Sequence, residues 1–327
     1  MTRATLALLV LAAALAGCAS PPADDREPGG PDGDPGPTYA WSALKAAPTP
    51  RTEVAAAALG NDVYVIGGFT GVGAASTVVE IYDTAADAWR AGPAYPIPIH
   101  HTFAFVHGNA VYVLGGYTTS AFVPTQLAFR LAAGGASWEP VASLPEARGA
   151  HAGAVVDGKA YLVGGVAAGG ALTKQVLVYD AGADAWSTAP DLPTARDHLA
   201  AAAVDGVVYA VGGRLQSLSS NKPVLEAFDP KKGVWETRAP MPTARGGFAA
   251  APFAGALVAV GGEESRGTFA AVEAYDPGSD TWRKLPDLPT PRHGLGVVVA
   301  GEKLYAIGGG PNPGFTTSGA VEALAAS

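Results

Sequence analysis

Two sequence markers recur along the chain with one period of nearly fifty residues. Glycine pairs begin at intervals of 48, 49, 48, 49 and 47 residues, at Gly67, Gly115, Gly164, Gly212, Gly261 and Gly308. Tryptophans recur at the same intervals of 48, 49, 48, 49 and 47 residues, at Trp41, Trp89, Trp138, Trp186, Trp235 and Trp282. Because two independent markers keep the same period and the same phase, the chain is expected to fold as a repeat architecture.

Each repeat predicts four short β-strands. In residues 147–186, apolar and β-branched runs are separated by turn residues such as Asp157-Gly158, which is the pattern of strands joined by turns. The Asp-Gly pair favours a two-residue hairpin loop, so the first two strands of a repeat should pair directly. After the N-terminal segment, no window of eleven residues follows the helical period of 3.6. The chain is therefore predicted to be all-β.

The repeat resembles the kelch motif. Its elements are an arginine, an apolar-Tyr-apolar-apolar-Gly-Gly run, a Val-Glu-x-Tyr-Asp run and a tryptophan, found in the first repeat at Arg51, 63–68, 79–83 and Trp89. The resemblance spans residues 38–327 and implies a six-bladed β-propeller of four-stranded antiparallel blades. The last repeat, residues 292–324, lacks a tryptophan, whereas the segment around Trp41 has no strands before it. We therefore expect residues 39–44 to form the fourth strand of the last blade and to close the ring.

Residues 1–17 predict a lipoprotein signal peptide. Arg3 precedes an apolar run over residues 6–15, and residues 15–18 (Leu-Ala-Gly-Cys) match a lipobox. The apolar run is too short to span a bilayer as a helix. Cys18 is the single cysteine and the expected lipidation site, which predicts a lipid-anchored protein of the bacterial cell envelope. By resemblance to enterobacterial sorting, Ala19 favours the outer membrane, on its periplasmic side or its surface. An ordinary signal peptide cleaved nearby is the alternative.

Residues 18–37 predict the lipidated cysteine and a disordered tether to the propeller of residues 38–327. They are rich in Pro, Gly and Asp and nearly free of apolar side chains, so they cannot bury enough surface to fold. The net charge of −8, with 21 lysines plus arginines, argues against nucleic acid as a partner, because nucleic-acid binding depends on basic residues that neutralise phosphates. A single cysteine allows no internal disulfide. The propeller is expected to be a monomer.

Polar side chains concentrate on one face of the predicted propeller, where the loop before the first strand and the loop between the second and third strands of every blade should lie. The candidate ligand-binding residues are Arg51, Arg148, Arg196, Arg245, Arg292, His100, His101, His198, His293, Glu53, Asp197, Arg214, Glu263, Glu264 and Arg266. A ring of guanidinium and imidazole groups at the channel mouth suits an anion such as a carboxylate. Hydrogen bonds to backbone carbonyls of a neighbouring blade are the alternative role for each arginine.

No metal and no cofactor is predicted. His100 and His101 are adjacent on a strand and should point to opposite sides. A metal site across blades from His101, His198 and His293 is the alternative, and it requires convergent imidazoles. Resemblance to galactose oxidase-like kelch enzymes implies copper and a tyrosine cross-linked to cysteine. Copper chemistry of that kind is not supported, since residues 38–327 contain no cysteine. His151, at a position where the kelch motif often has histidine, is expected to be structural.

Two functions are consistent with this face, and the sequence leaves the catalytic residues unknown. Resemblance to kelch adaptor domains implies a lipid-anchored binding scaffold that recognises a protein partner or an anionic glycan, which is the first expectation. Resemblance to the periplasmic N-acetylneuraminate epimerase type implies a carboxylate-sugar mutarotase or epimerase, with a general acid and base from Glu53, Asp197, Glu263 or the histidines. A closed funnel with a carboxylate near a histidine favours the enzyme. A flat face with exposed aromatics, such as Phe69, Tyr117 and Phe122, favours the scaffold.

Overall fold

The computed structural model describes residue 1 and residues 37–71 and 73–327. By internal contacts the chain divides into two units, Met1–Pro37 and Thr38–Ser327. Apart from Met1 and Pro37, the predicted signal peptide of residues 1–17 and the lipidated tether of residues 18–37 lie outside the described residues. Within the described part, no helix is long and apolar enough to cross a membrane.

The described residues of the second unit form six four-stranded antiparallel sheets, the blades of a β-propeller. The innermost strands, which contact one another around a central channel, are Ala55–Leu59, Phe103–His107, Ala152–Val156, Ala200–Val204, Ala249–Phe253 and Gly296–Ala300. The second strands are Asp62–Ile66, Ala110–Leu114, Lys159–Val163, Val207–Val211, Ala256–Val260 and Lys303–Ile307. The third strands are Val79–Asp83, Ala128–Ala132, Val176–Asp180, Leu225–Asp229, Val272–Asp276 and Val321–Ala326. The outermost strands are Ala88–Ala91, Glu139–Pro140, Ala185–Ala189, Val234–Arg238, Thr281–Lys284 and Tyr39–Ala43.

Short two-residue strands extend the loops on one face of the ring. They pair Phe69–Thr70 with Ala74–Ala75, Arg148–Gly149 with Val166–Ala167, and Glu263–Glu264 with Gly267–Thr268. These pairings matter for function because they order the loops that surround the channel mouth.

The N-terminal strand Tyr39–Ala43 is the outermost strand of the last blade, which confirms the predicted closure. It pairs antiparallel with Val321–Ala326, from Tyr39 opposite Ala326 to Ala43 opposite Glu322. The third strand of this blade runs two residues past its predicted end at Leu324. Because the first and last strands of the unit pair in one blade, the edges that an open ring would expose are covered.

The glycine pairs allow neighbouring blades to approach each other. Gly164 and Gly165 have φ values of +63° and +88°, and a Cβ on Gly164 would lie 2.5 Å from the carbonyl oxygen of Arg196 in the next blade. The Gly165 amide donates to that oxygen at 2.8 Å. The equivalent bond recurs at every blade boundary, with the donors Gly68, Gly116, Gly165, Gly213, Gly262 and Gly309. The glycine pairs therefore serve the fold, by adopting positive φ and allowing close contact between blades.

The tryptophans and the turns are likewise explained by the fold. Each indole Nε1 donates to a backbone carbonyl that precedes its own blade, as Trp186 does to Ala142 at 2.8 Å. Asp157 and Gly158 have φ values of 49° and 76°, the two positive angles that a type I′ hairpin turn needs. Asp83 accepts hydrogen bonds from two amides of the turn that follows it and so caps that turn.

Candidate functional site

The five repeat arginines lie inside the blades and do not ring the channel mouth. Arg196 donates to the Glu226 carboxylate of its third strand, to the Ala210 carbonyl of its second strand and to the carbonyl of Gly212, which follows that strand. The same kind of ion pair joins Arg51 to Glu80, Arg245 to Glu273 and Arg292 to Glu322, while Arg148 donates to Gln175 and Glu146. All five arginines are 0–1% exposed. A buried charge needs a partner, and these cations find theirs inside their own blades, in place of the cationic mouth expected from the sequence.

Six residues, one per blade, form a continuous backbone ring around the channel mouth. All have φ values between 49° and 64°, and they are Glu53, His101, Ala150, His198, Gly247 and Gly294. Five of their amides donate to the carbonyl of the preceding member at 2.7–3.2 Å, and the Val54 amide closes the circle by donating to the Gly294 carbonyl at 3.3 Å. We call these six residues the mouth ring. A positive φ costs a non-glycine residue about 1–2 kcal/mol, and such strain is typical of functional sites.

The mouth ring opens into a cavity of about 400 Å³, which is within the usual size of a small-molecule site. Its polar lining comes from Glu53, His101, Asp197, His198, Arg214, Gln216, Glu263 and His293. Its aromatic wall comes from Phe69, Tyr117, Phe122 and Phe315. The structure thus brings together seven of the predicted site residues. His100 lies behind His101, whereas Glu264 and Arg266 are on a hairpin outside the cavity lining.

His100 and His101 face each other, which corrects the expectation that they point to opposite sides. His101 has a φ of 49° because its amide is held by the Glu53 carbonyl in the mouth ring, and this angle interrupts the strand alternation. The two Nδ1 atoms lie 2.6 Å apart. The His100 ring packs on Phe69 with its centroid 4.0 Å away.

Hydrogen bonds assign the protons of His100 and His101, and the Glu53 carboxyl lies next to them. His100 Nε2 lies 3.0 Å from the carbonyl oxygen of Thr119, which can only accept, so this nitrogen carries the proton of a neutral ring. His100 Nδ1 therefore accepts from His101 Nδ1, and His101 Nε2 is left as an acceptor. Glu53 Oε2 lies 3.2 Å from that nitrogen, where a carboxylate would face a lone pair. The arrangement therefore favours a protonated Glu53 carboxyl over an ionised one.

Burial favours the same protonation states. Desolvation lowers the pKa of His100 to about 4 and the pKa of His101 well below its usual value, so both rings are neutral at pH 7. Desolvation raises the pKa of Glu53 above its ordinary value, against the opposing effect of His293 and His198. Glu53 is therefore suited to hold a proton at a pH where an exposed carboxyl has lost it.

Asp197 and His198 form a second acid–base pair at the cavity. Asp197 Oδ2 lies 2.6 Å from His198 Nδ1, and Asp197 Oδ1 accepts from the Gln216 amide at 2.8 Å. Burial acts to raise the pKa of Asp197, but the hydrogen bonds and charge of these neighbours hold it below its usual value. An ionised Asp197 accepts the Nδ1 proton, so Nε2 is the nitrogen of His198 that can exchange a proton with a ligand.

Glu263, His293 and Arg214 complete the polar wall. Arg214 Nη1 donates to Glu263 Oε1 at 2.7 Å. His293 Nε2 lies 3.6 Å from Glu53 Oε1 and 3.6 Å from Glu263 Oε2. Among the described residues, the group whose possible metal-ligand atoms lie within 4.8 Å of one another is Glu53, Glu263 and His293. The sequence had instead suggested His101, His198 and His293 as the alternative metal site. These three could hold a divalent cation, but the Arg214 charge and a protonated Glu53 both oppose one.

Sequence reasoning missed Phe315 and Gln216, which both line the cavity. They lie in the loops between the second and third strands of repeats six and four. These loops, with that of repeat two, are the longest of the six. The position of these two residues in loops of the polar face was therefore the available signal, since binding residues concentrate in loops held by a rigid scaffold.

Comparison with known proteins assigns the family. A family model described as the KLHDC2/KLHL20/DRC7 Kelch-repeats domain matches residues 37–213 and 101–310. The chain belongs to the kelch-repeat family. Among solved structures, that of YjhT has a TM-score of 0.74 and 19% identity, covering 85% of this chain and 95% of that chain, which supports the propeller fold alone. No curated protein matches the chain.

In this kelch propeller, the repeated residues serve the fold and the unrepeated residues form the cavity. The glycine pairs and tryptophans bond in the same way at every blade, and four of the five arginines pair with a glutamate of their own third strand. The mouth ring instead changes from blade to blade, as Glu, His, Ala, His, Gly and Gly. Kelch propellers in general are compatible with protein binding, sugar binding and catalysis, so the function must be argued from the cavity.

Proposed function

We propose that the channel-mouth cavity binds a monosaccharide-sized sugar ring and interconverts its anomers, as a mutarotase. One observation carries this proposal: a proton donor, Glu53, and a proton acceptor, His198, face one cavity from two positions of the mouth ring. Groups whose environments favour opposite protonation states are the usual acid and base of such a site. The aromatic wall offers an apolar surface on which a sugar ring can pack.

The chemistry needs only proton transfers. Glu53 donates its proton to the ring oxygen while His198 Nε2 takes the proton of the anomeric hydroxyl. The bond between the anomeric carbon and the ring oxygen breaks, and an open-chain carbonyl forms. After rotation, the former ring oxygen attacks the other face, returns its proton to Glu53, and His198 protonates the new anomeric oxygen. Asp197 stabilises the imidazolium that forms meanwhile.

The charges of the cavity favour an uncharged sugar over the carboxylate sugar expected from the sequence. The repeat arginines are buried in the blades, and Arg214 is paired with Glu263. The one guanidinium of the lining is therefore already neutralised, and no unpaired arginine is left in the lining to bind a carboxylate. We therefore propose hydroxyl-rich, uncharged rings as the first substrates, and carboxylate sugars as the second arm of the test.

Proton NMR of the anomeric signals tests the proposal, starting from one pure anomer of glucose, galactose or N-acetylneuraminate. We expect the protein to accelerate equilibration of at least one sugar, and Glu53→Gln or His198→Gln to reduce that rate by about 100-fold or more. Glu264→Gln, on the hairpin outside the cavity lining, is the matched control and should keep the activity. Failure to accelerate any of the sugars, or full activity in Glu53→Gln, would exclude the mutarotase.

A second candidate, the binding scaffold, is favoured by the apolar rim of the same face. Phe122, Val123, Leu215 and Phe315 are 40–51% exposed and lie in loops beside the cavity. Such side chains can contact a protein partner or the apolar face of a glycan. Chemical cross-linking in envelope preparations should then give a partner band that disappears in Val123→Ser and Phe315→Ser. Val234→Ser, an equally exposed position on an outermost strand, should keep it.

We propose that Cys18 carries a lipid and tethers the propeller in the bacterial envelope, at the outer membrane. Support comes from the lipobox at residues 15–18 and the Pro, Gly and Asp-rich residues that follow. In this position the propeller would meet its ligand outside the cytoplasm. Cell fractionation should move Cys18→Ser from the membrane to the soluble fraction, and an unchanged distribution would contradict the anchor.

A further inference from the structure

Glu263 lines the same cavity as Glu53, and the proposed mutarotation gives it no role. Oxygen atoms of the two carboxyls lie within 4.8 Å of each other. His293 lies beside both, and its two ring nitrogens each lie 3.0 Å from a backbone carbonyl oxygen, of Gly310 and of Gly314. The backbone therefore holds His293 in place, and the two carboxyls are left to face a ligand.

Two glycines of the mouth ring make room for this carboxyl pair. A Cβ on Gly247 would lie 3.1 Å from Glu263 Oε1, and a Cβ on Gly294 would lie 2.7 Å from Glu53 Cδ. The residue that follows the glycine pair also differs in every repeat, as Phe69, Tyr117, Val166, Arg214, Glu263 and Gly310. The carboxyl pair is therefore a feature of this cavity and not of the repeat.

The two carboxyls have unlike surroundings. Arg214 Nη1 donates to Glu263 Oε1 at 2.7 Å, a charge-assisted hydrogen bond that favours a carboxylate. The other oxygen, Oε2, has a longer contact of 3.4 Å with the Gly314 amide, so it keeps a lone pair for a ligand. Glu53 faces the lone pair of His101, and desolvation raises its pKa. One carboxyl is therefore suited to hold a proton and the other a negative charge, the division that acid and nucleophile need.

The distance between two such carboxyls distinguishes the two classes of glycoside hydrolysis. Retaining enzymes place them about 5–5.5 Å apart, because one carboxylate attacks the anomeric carbon directly. Inverting enzymes need about 6.5–9.5 Å, because a water molecule must fit between the carboxylate and the sugar. The separation of at most 4.8 Å between Glu53 and Glu263 is too short for that water and close to the retaining geometry.

We infer that the cavity also hydrolyses uncharged glycosides with retention of anomeric configuration, with Glu53 as the general acid and Glu263 as the nucleophile. This reaction shares the sugar site and the acid of the proposed mutarotase and adds a second activity. The sugar ring lies in the cavity, and the aglycone extends to the rim, where Phe122 and Phe315 are 40% and 51% exposed.

The reaction needs water as its one co-substrate. Glu53 donates its proton to the glycosidic oxygen while Glu263 Oε2 attacks the anomeric carbon, so the aglycone leaves as an alcohol and a glycosyl ester forms. Water then attacks the anomeric carbon, gives a proton to Glu53 and releases Glu263 as a carboxylate. Arg214 positions Glu263 through its Oε1 in both steps.

Covalent trapping tests the nucleophile, with both anomers of 2-deoxy-2-fluoroglucosyl and 2-deoxy-2-fluorogalactosyl fluoride as probes. Fluorine at C2 destabilises the positively charged transition states, and the fluoride leaving group lets the first step proceed, so the ester accumulates. Intact-protein mass spectrometry should show one added fluorosugar in the wild type, and peptide mapping should place it on Glu263. Glu263→Gln should gain no label. Glu264→Gln, on the hairpin outside the cavity lining, is the matched control and should be labelled.

Hydrolysis of nitrophenyl glucosides and galactosides of both configurations measures turnover. The wild type should release 4-nitrophenol from at least one of them, and Glu263→Gln should lose this activity. Glu53→Gln should slow a methyl glycoside by about 100-fold or more and a 2,4-dinitrophenyl glycoside far less, because dinitrophenolate leaves without a proton. In His198→Gln, which lacks the base of mutarotation, proton NMR should show that the first sugar released keeps the configuration of the substrate.

The outcomes separate this inference from the mutarotase. A wild type that hydrolyses none of these glycosides and gains no label on Glu263 would overturn the glycosidase, even if the protein interconverts anomers. Hydrolysis that survives Glu263→Gln, or a first product of inverted configuration, would also overturn it. Hydrolysis and labelling without mutarotation would retain the glycosidase and reject the proposed mutarotase alone.

Discussion

Single residues of the mouth ring show where this propeller departs from its own repeat. Gly247 and Gly294 adopt the positive φ without a steric penalty, whereas Glu53, His101 and His198 adopt it with a Cβ and the cost that this brings. Ala150 bears the same strain and carries no functional group. Function and strain therefore coincide at three positions, and Ala150 offers a background position at which strain alone can be measured.

Glycine at a strained position of the mouth ring should stabilise the protein. We expect Ala150→Gly to raise the free energy of unfolding by about 1 kcal/mol, because glycine adopts positive φ freely. For the same reason Glu53→Gly should be more stable than Glu53→Ala by about 1 kcal/mol, although both lose the carboxyl. Urea denaturation measures these differences. Ala201→Gly, at an ordinary strand position, is the control and should lose stability, and a loss of the same size at Ala150 would refute the strain.

The His100–His101 pair should control the proton on Glu53. Replacing His100 by Phe removes the acceptor for His101 Nδ1, so His101 can donate from Nε2 and stabilise the Glu53 carboxylate. The pKa of Glu53 should fall, and the alkaline limb of the mutarotation pH profile should move to lower pH. Thr119→Ala keeps the backbone carbonyl that accepts from His100, so its profile should match the wild type. A His100→Phe profile that coincides with the wild type would disprove the relay.

At the scale of the blade, a buried ion pair joins the segment before the first strand to the third strand. Repeat two lacks the arginine, with Ile99 in its place, and also lacks the carboxylate, since Phe129 occupies the position equivalent to Glu80. Both side chains pack in one apolar cluster. The chain therefore contains its own example of an apolar pair that replaces the ion pair.

Copying repeat two into repeat five tests this exchange. Arg245→Ile alone should lower the free energy of unfolding by about 3–5 kcal/mol, because it leaves the Glu273 carboxylate buried without its partner. The double variant Arg245→Ile with Glu273→Phe should recover most of that loss. A double-mutant cycle from urea denaturation gives the coupling. Additive losses in the two variants would show that the ion pair cannot be exchanged in this way.

The elements of the fold were predictable because each repeat carries its own signals. Asp157-Gly158 specifies a hairpin locally, and the orphan Trp41 reveals the closing strand by comparison with the other repeats. The roles of Arg196 and His101 were not predictable from position alone. The partner of Arg196 is Glu226, thirty residues later, and the orientation of His101 depends on a hydrogen bond to the neighbouring blade. The direction of the strands alone predicts which face of the propeller is polar. The protonation of the side chains on that face depends on tertiary contacts, which the sequence does not show.

For the whole molecule, the closing strand should stabilise all six blades. Deleting residues 38–44 removes Trp41, whose indole bonds Pro286 of the preceding blade, and exposes the edge of Val321–Ala326. Tyr39 and Trp41 are partly buried and pack against the cluster between the last two blades, so their loss should cost roughly 2 kcal/mol or more and lower the midpoint of a single cooperative transition. A synthetic peptide of residues 38–47 should restore part of the loss through binding. A truncated protein that melts with the wild type would contradict closure as a source of stability.

Acidification should destabilise the whole propeller because the fold buries neutral histidines. The pKa of His100 is lowered to about 4, that of His151 to about 3, and that of His101 also falls, in each case mainly through desolvation. The pKa of histidine in the unfolded chain is about 6.5. Below that pH, the unfolded chain binds protons that the folded protein does not bind. Stability is therefore complete above pH 6.5 and is lost as the pH falls towards 4. The raised pKa of Glu53 has the opposite effect, because its protonation stabilises the folded protein as the pH falls. It is one group against three histidines.

For His100 alone, the loss by pH 4 is about 3 kcal/mol. Urea denaturation at pH 7.5, 6.5, 5.5 and 4.5 should show the decline. His151→Gln keeps a donor for the Leu114 carbonyl that His151 now contacts and removes one titrating group, so its stability should depend less steeply on pH. Substitution of His107, a partly exposed residue at the end of an innermost strand, should leave the slope unchanged. Equal stability of the wild type at pH 6.5 and 4.5 would show that these rings are protonated in the folded protein.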